Sequence, residues 1–519
     1  MTSDVALSGG PGFQKPGFAF GQPCTLPINY KRMLFLPTIH GRFPVGVTTF
    51  ATPVRPARSI GLVKLRNAGK QGTPDSALYL EEVAFSVYYP ADVDTNSKKG
   101  VPWFIRPIKE SLLGFSAFLG VPSWLLWPVV YLFGALLKIP AYPNAPLLSP
   151  EKAKECSKDA EVTQPSQWPL VIFSHGLGGT RTAYSQFCSR LAASGRVVLA
   201  LEHRDGTGPA CLSRSWNLEG KSKPRTLFYL READIHWDEN EIKDTRPLPL
   251  RAEQLAFRHN EIYIAYSTFC RFINQDATLE FDTIDASPFD TQSWKGLNGS
   301  GQQNIRFDDR VVLAGHSFGG CTVLSLLSTK PLEGYELIPV ERAVILDPWL
   351  EPLPSPGPVP LLKDGIPDSK INIAEASVRS SLETAVESSS AFSGGVTKSP
   401  HPSMLVINSE NFTLWKDHYA RLLEVVAGWE PKGGRIMTIV GSEHVSFSDF
   451  PVLPVFKKKF ARPILDTITE LSLSFLDDKL DHTLRTIPTT TMEVEVIGVK
   501  KDGKPKRRLI GNPGDVIAQ

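Results

Sequence analysis

Five segments of the chain are apolar at nearly every position: PLVIFS (169–174), VVLALE (197–202), VVLAGH (311–316), RAVIL (342–346) and SMLVIN (403–408). Apolar runs of strand length, without polar alternation, belong to strands buried on both faces, as in a parallel sheet. Helical spacing lies between them. Tyr184, Phe187 and Leu191 lead to a stop at Gly195, and Leu255, Ile262, Ala265, Tyr266 and Phe269 share one face of a segment spanning 251–273. Val323, Leu324 and Leu327 follow the third run, and further helices are predicted over 412–428 and 463–477. Strand and helix in alternation predict an α/β fold with helices on both faces of a mostly parallel central sheet. Upstream, PVGVTTFATP (44–53) and LEEVAFSVYY (80–89) are rich in β-formers and predict N-terminal antiparallel strands that open the sheet, while RIMTIV (435–440) supplies its last strand.

The third run ends in GHSFG, with Gly315, Ser317 and Gly319 between strand and helix. That order is the nucleophile elbow of the α/β-hydrolase arrangement, in which a serine sits on a strained turn at a helix N-terminus and its neighbouring backbone N–H groups face a developing oxyanion. A serine needs a base, and the base an orienting carboxylate. In the chain order Ser, Asp, His, the candidates are Ser317, Asp347 and His444, each just after a predicted strand. Asp449, close to His444, is the second candidate acid. His401, His418 and His482 also follow the acid, but His401 opens a strand and His418 lies in a helix. His175 is expected to shape the turn after its strand, His203 to pair with Glu202, Arg204 or Asp205, and His316 to be locked beside the serine. The turn HGLGG (175–179) matches the loop that supplies a second oxyanion donor, so the expected donors are the backbone N–H groups of Leu177 and Phe318, with both side chains lining the pocket. The structural alternative is that these glycines only let a helix pack closely. No HExxH or similar ligand spacing occurs, so no metal or cofactor is expected.

From Ser111 to Leu137 the chain carries no charged residue. By length the stretch could cross a bilayer. Pro122 and Pro128 divide it, however, and Trp124, Trp127 and Tyr131 sit in its middle, not at its ends where interfacial aromatics of a spanning helix lie. Three readings follow: two short helices that dip into a membrane surface through Phe118, Leu119, Trp124, Leu125, Leu126 and Trp127; a buried cap over the active site; or a spanning segment. Composition narrows the setting. Hydrophobic residues make up 42% of the chain and the net charge is +2, which gives no sign of a nucleic-acid partner. Six scattered cysteines without CxxC read as free thiols, and the first 30 residues have no apolar signal core, so the expected location is cytoplasmic with peripheral membrane attachment, or integral through 111–137. The domain organisation is a flexible leader (1–40), a hydrolase domain (41–483) with a Pro-, Ser- and Gly-rich surface excursion over 354–400, and a basic, disordered tail (484–519). The tail's KKDGKPKRR run is a solvated end or a contact for anionic lipid.

The blocks FSHGLGGTRTAYSQFCSRLAASGRVVLALEHRDG, GHSFGGCTVLSLLS, ILDPWLEPL, INSENF and GSEHVSFSDF together resemble the platelet-activating factor acetylhydrolase family. The resemblance covers about 80–450 and includes an apolar segment like 118–134, which in that family forms lipid-facing helices. It implies a calcium-independent serine hydrolase that removes short or oxidised acyl groups from the sn-2 position of phospholipids, with Ser317 as nucleophile, Asp347 as acid, His444 as base, and Leu177 and Phe318 as oxyanion donors. Oligomeric state is not implied. Two other readings share these residues: a lipase or carboxylesterase for neutral esters, and a catalytically silent membrane-binding protein that keeps the fold.

Overall fold

The apolar runs pair with one another. In the computed structural model, which describes residues 35–66, 76–94, 96–156, 165–214, 216, 225–237, 248–284, 288–298, 300–354, 357, 401–429, 435–456 and 458–519, they form strands β1 (Val45–Ser59), β2 (Tyr79–Pro90), β3 (Trp168–Ser174), β4 (Val197–Glu202), β5 (Val311–His316), β6 (Val340–Leu346), β7 (Ser403–Ser409) and β8 (Arg435–Ile439). Three short strands follow: β9 (Val494–Val499), β10 (Pro505–Leu509) and β11 (Val516–Ala518). The spatial order is β1-β2-β4-β3-β5-β6-β7-β8-β11. Pairing is antiparallel for β1–β2 and β2–β4, parallel from β4 through β8, and antiparallel again for β8–β11. This is the α/β-hydrolase sheet expected from the sequence, including its antiparallel N-terminal strands.

The helices are α1 (Ile108–Leu119), α2 (Ser123–Pro128), α3 (Ser185–Ala193), α4 (Pro249–Ile273), α5 (Phe318–Leu327), α6 (Lys416–Trp429) and α7 (Ala461–Leu476). Because side chains alternate along a strand, each central strand feeds two cores. Leu170, Ile172, Leu313, Ile345 and Val406 pack with Phe257, Phe269, Leu324 and Leu422 of α4, α5 and α6 on one face. Val171, Phe173, Ala314, Val344 and Ile407 pack with Phe187, Leu191, Ile464 and Ile468 of α3 and α7 on the other. A Leu→Ala change in either layer would cost about 2–5 kcal/mol, since so dense an interior closes a cavity only in part.

Two boundaries differ from expectation. The domain has already begun at Phe35, which bridges to Lys138, and Leu36 is buried with its N–H bonded to the Lys138 carbonyl at 2.9 Å. At the other end the segment after 484 is not a disordered tail. β11 pairs in register with β8, Met437 opposite Ala518 and Ile439 opposite Val516, and Leu509, Val516 and Ile517 are buried. The physical reason is that β8 would otherwise be an open sheet edge, whose N–H and C=O groups these few apolar residues satisfy. Residues 1–34 and nearly all of the 354–400 excursion lie outside the described residues.

The uncharged stretch is broken, as Pro122 and Pro128 imply, into α1, α2 and a further length of irregular helix over 129–136. No helix among the described residues is long and apolar enough to cross a membrane. The segment is also neither wholly a cap nor wholly an outer surface. Phe115, Phe118, Leu126 and Val130 line a pocket, Leu119 lines it too while remaining 55% exposed, and Leu113, Trp124, Leu125, Trp127, Leu132, Phe133 and Leu136 are exposed. Of the six residues expected to face outward, Phe118 and Leu126 therefore turn inward, and Leu119 is shared between pocket and surface. The ring of Phe118 packs against Tyr229, and it fills the space where a Cβ on Gly178 would stand.

Candidate active site

Strand β5 delivers Ser317 into a turn that only small neighbours permit. The serine has φ 57° and ψ −119°, a left-handed conformation that costs a non-glycine residue of order 1–3 kcal/mol and persists only where the surroundings fix it. A Cβ on Gly315 would meet the Gly319 carbonyl oxygen at 2.3 Å, and one on Gly319 the Ser174 carbonyl at 2.0 Å. The two glycines flanking the serine are thus demanded by the approach of α5 to β3 and β5.

The parallel strands bring three distant side chains to one rim of the sheet. His444 Nε2 lies 2.8 Å from Ser317 Oγ, and His444 Nδ1 lies 2.7 Å from Asp347 Oδ2. Asp347 is wholly buried, and its Oδ1 accepts the Ser409 N–H at 2.6 Å. The His444 ring stacks on Phe412, with centroids 4.4 Å apart and planes within 10°, and also contacts His316. A carboxylate at Nδ1 puts the proton there and leaves Nε2 as the acceptor facing the serine hydroxyl. The array can take a proton from Ser317 and return it to a leaving group.

His316 belongs to a second, buried chain. The Gly176 N–H donates to Tyr184 Oη at 3.2 Å, Tyr184 Oη lies 2.8 Å from His316 Nδ1, and His316 Nε2 is 2.9 Å from the His444 carbonyl oxygen. Since a carbonyl only accepts, Nε2 carries the proton and Nδ1 accepts from the tyrosine. Burial, with His444 nearby, holds the His316 pKa well below the ordinary imidazole range, so the ring stays neutral. This chain ties the glycine turn to the backbone of His444.

Asp449, the second candidate acid, sits elsewhere. Its Oδ2 accepts from Trp103 Nε1 at 2.9 Å, Ser185 N at 3.0 Å and Ser185 Oγ at 2.6 Å, and its Oδ1 from Gln186 N at 2.9 Å. It satisfies the first N–H groups of α3, while burial lifts its carboxyl to about 6.

On the oxyanion side, the Leu177 N–H makes no hydrogen bond among the described residues, and the Phe318 N–H is the first of α5, without an intrahelical partner. The Leu177 side chain lines the pocket as expected. That of Phe318 does not: it is fully buried beneath the guanidinium of Arg258, 4.6 Å from the ring centroid. Arg258 itself is buried and donates to Asp205 Oδ2 at 2.7 Å, the His175 carbonyl at 2.7 Å and Thr207 Oγ1 at 2.6 Å. One side chain of α4 thereby braces both donor-bearing turns. His203 pairs not with a sequence neighbour but with Glu261 of α4, Nδ1 to Oε2 at 2.6 Å, and with Ser174 Oγ at 2.8 Å. Such partners are invisible locally because α4 reaches the site only through the fold.

Ser317 and His444 open into a cavity of about 740 Å³ walled by Trp103, Phe115, Phe118, Trp349, Val445 and Phe450, with Lys458 the one cationic side chain among its lining residues. Cys188, Cys211, Cys270 and Cys321 are free thiols away from it, and the side chains of Cys24 and Cys156 lie outside the described part.

Residues 30–357 match the family model of platelet-activating factor acetylhydrolase, isoform II. The chain belongs to this family. Ser317 and Asp347 fall inside the matched stretch and His444 beyond it. A platelet-activating factor acetylhydrolase of Bos taurus is 32% identical over 272 residues, 51% of this chain and 50% of its own length. That of Gallus gallus is 26% identical over 375 residues, 70% and 68% of the two chains, and a putative phospholipase A2 of Schizosaccharomyces pombe is 34% identical over 196 residues, 36% and 41%. The chain spans about half the length of the mammalian family members it matches.

Proposed function

We propose that this member of the platelet-activating factor acetylhydrolase family is a calcium-independent serine esterase that cleaves short or oxidised sn-2 acyl groups from phospholipids at a membrane surface. The observation that carries the reading is the continuous Ser317–His444–Asp347 contact at the floor of a deep apolar pocket. The names of its relatives, acetylhydrolases and a phospholipase, support the substrate class.

Ser317 Oγ attacks the ester carbonyl as His444 Nε2 takes its proton, and Asp347 stabilises the imidazolium through Nδ1. The carbonyl oxygen gains charge and is met by the Leu177 and Phe318 N–H groups, each such donor being worth about 3–4 kcal/mol in the transition state. Collapse expels the lysophospholipid alkoxide, which receives the proton from His444 and leaves an acyl group on Ser317. Water, deprotonated by His444, then attacks this ester and releases the carboxylic acid and free Ser317. The exposed face of the 108–136 segment, with Trp124 72% accessible, supports seating of the pocket mouth among lipid headgroups.

A fluorophosphonate tests the chemistry directly. Covalent labelling of the native chain and none of Ser317→Ala is expected; a native, folded chain that resists the probe would leave only a silent membrane-binding fold.

A further inference from the structure

The C-terminal segment lies beyond the stretch that the family model matches, and it carries a surface the catalytic reading does not use. Strands β9 and β10 form a hairpin in which Val494 faces Leu509, Glu495 faces Arg508 and Val496 faces Arg507; after a bulge, Gly498 faces Lys506 and Val499 faces Pro505. Opposite residues share a face and successive ones alternate. One face of the ribbon therefore holds Val494, Val496, Val499 and Pro505, with Arg507 among them. Only Leu509, at the root, is buried; Val494, Val496 and Val499 are 48, 62 and 71% exposed. The turn and the second strand add Lys500, Lys501, Lys504, Lys506 and Arg508, so six basic side chains stand against Glu493, Glu495 and Asp502. Of the six, Arg508 pairs with Glu495, and the other five have no ion-pair partner among the described residues.

The hairpin is fastened at the rim that carries the site. Glu410 accepts the Leu509 N–H at 3.1 Å with one oxygen and the Gly441 N–H, just before His444, at 2.7 Å with the other. Val440 makes two further bonds across the same point, its carbonyl accepting from Gly514 N and its N–H donating to the Asp515 carbonyl, both at 2.9 Å.

We propose that the β9–β10 hairpin is a second lipid contact that reads anionic phospholipid, its valine face entering the interface while the lysines meet headgroup phosphates. An exposed apolar ribbon bordered by unpaired cations fits such a surface in both its parts, and a lone two-stranded hairpin gains little by leaving its apolar face in water. The inference rests on the reading of this chain as an enzyme of phospholipid surfaces.

The test is sedimentation of the full chain with vesicles of phosphatidylcholine alone and of phosphatidylcholine mixed with phosphatidylglycerol, at low and high salt. The native chain should prefer the anionic vesicles by about tenfold or more, with the preference shrinking as salt rises. A Lys500→Gln/Lys501→Gln/Lys504→Gln/Lys506→Gln variant should lose that preference and keep its binding to phosphatidylcholine, and Val496→Ser/Val499→Ser should weaken binding to both. Equal binding of the native chain to both vesicles, or an undiminished preference in the lysine variant, would overturn the proposal. So would a dimer in solution that the valine variant dissociates, which would assign the face to a second copy. Hydrolysis of a soluble short-chain ester, measured in parallel and expected unchanged in both variants, reports on the catalytic reading separately, because its absence from the native chain leaves the vesicle result standing.

Discussion

Two buried aspartates stand close to His444, Asp347 in contact with its ring and Asp449 five residues further along the chain, and their surroundings give them different work. Asp347 accepts from His444 Nδ1 and Ser409 N, at the rim; Asp449 accepts four bonds from Trp103, Ser185 and Gln186, at the start of α3. Asp347→Asn should therefore lower kcat by about ten-thousand-fold in a stably folded chain, since an amide at Nδ1 reverses the tautomer that keeps Nε2 an acceptor. Asp449→Asn should keep kcat within a few-fold and lower the urea midpoint, because an amide nitrogen would face donors in a buried site, at about 1–3 kcal/mol. Paired kcat and denaturation measurements decide it, and the reverse pattern would make Asp449 the acid. Ser317, Asp347 and His444 are legible in the sequence because the first two directly follow an apolar run and the third lies in the short loop after one, so position along the chain reports position on the rim. Phe412 stacked on His444, the Tyr184–His316 link and Arg258 under Phe318 are not legible, since aromatic and charged side chains on other elements leave no mark in the local pattern.

At the level of elements, the strands and long helices follow the apolar periodicity closely, and the exceptions have a common cause. The final strand, Val516–Ala518, is too short for periodicity to register and follows a basic run that reads as solvated, yet the open edge of β8 recruits it. The uncharged stretch poses the opposite problem: its composition announces a membrane or a core without saying which side chain goes where. Helical geometry divides it, with Phe118 and Leu126 in the pocket and Trp124 and Trp127 outside, Trp127 stacked on Tyr131. Trp124→Ala/Trp127→Ala should accordingly reduce hydrolysis of a vesicle-borne phospholipid by about tenfold or more, at two large apolar side chains lost from the interface, and leave a soluble ester unaffected. Equal loss on both substrates would return α2 to a purely structural role.

For the whole molecule, burial of titratable groups sets a pH dependence. Burial lowers His175 to about 3 and His259 and His418 to about 4, and it holds His203 and His316 well below 6.5. Each takes up a proton on unfolding near its ordinary 6.5, so the stability it contributes is present above that pH and is lost as pH falls toward its folded value. Asp449, raised to about 6, acts in the opposite direction, as do Glu261 and Glu351, whose carboxyls burial also raises, so three carboxyls stand against five histidines. The urea midpoint should fall steadily from pH 6.5 toward 4, and a flat or rising midpoint would contradict the neutral buried histidines. The most direct test of the account remains the reaction itself: release of free acid, with EDTA present, from phosphatidylcholine bearing sn-2 acetyl and from phosphatidylcholine bearing sn-2 palmitoyl, by the native chain and by Ser317→Ala. Strong preference for the acetyl lipid, abolished in the variant, is the predicted result; preference for the palmitoyl lipid, or release that survives loss of Ser317, would contradict it.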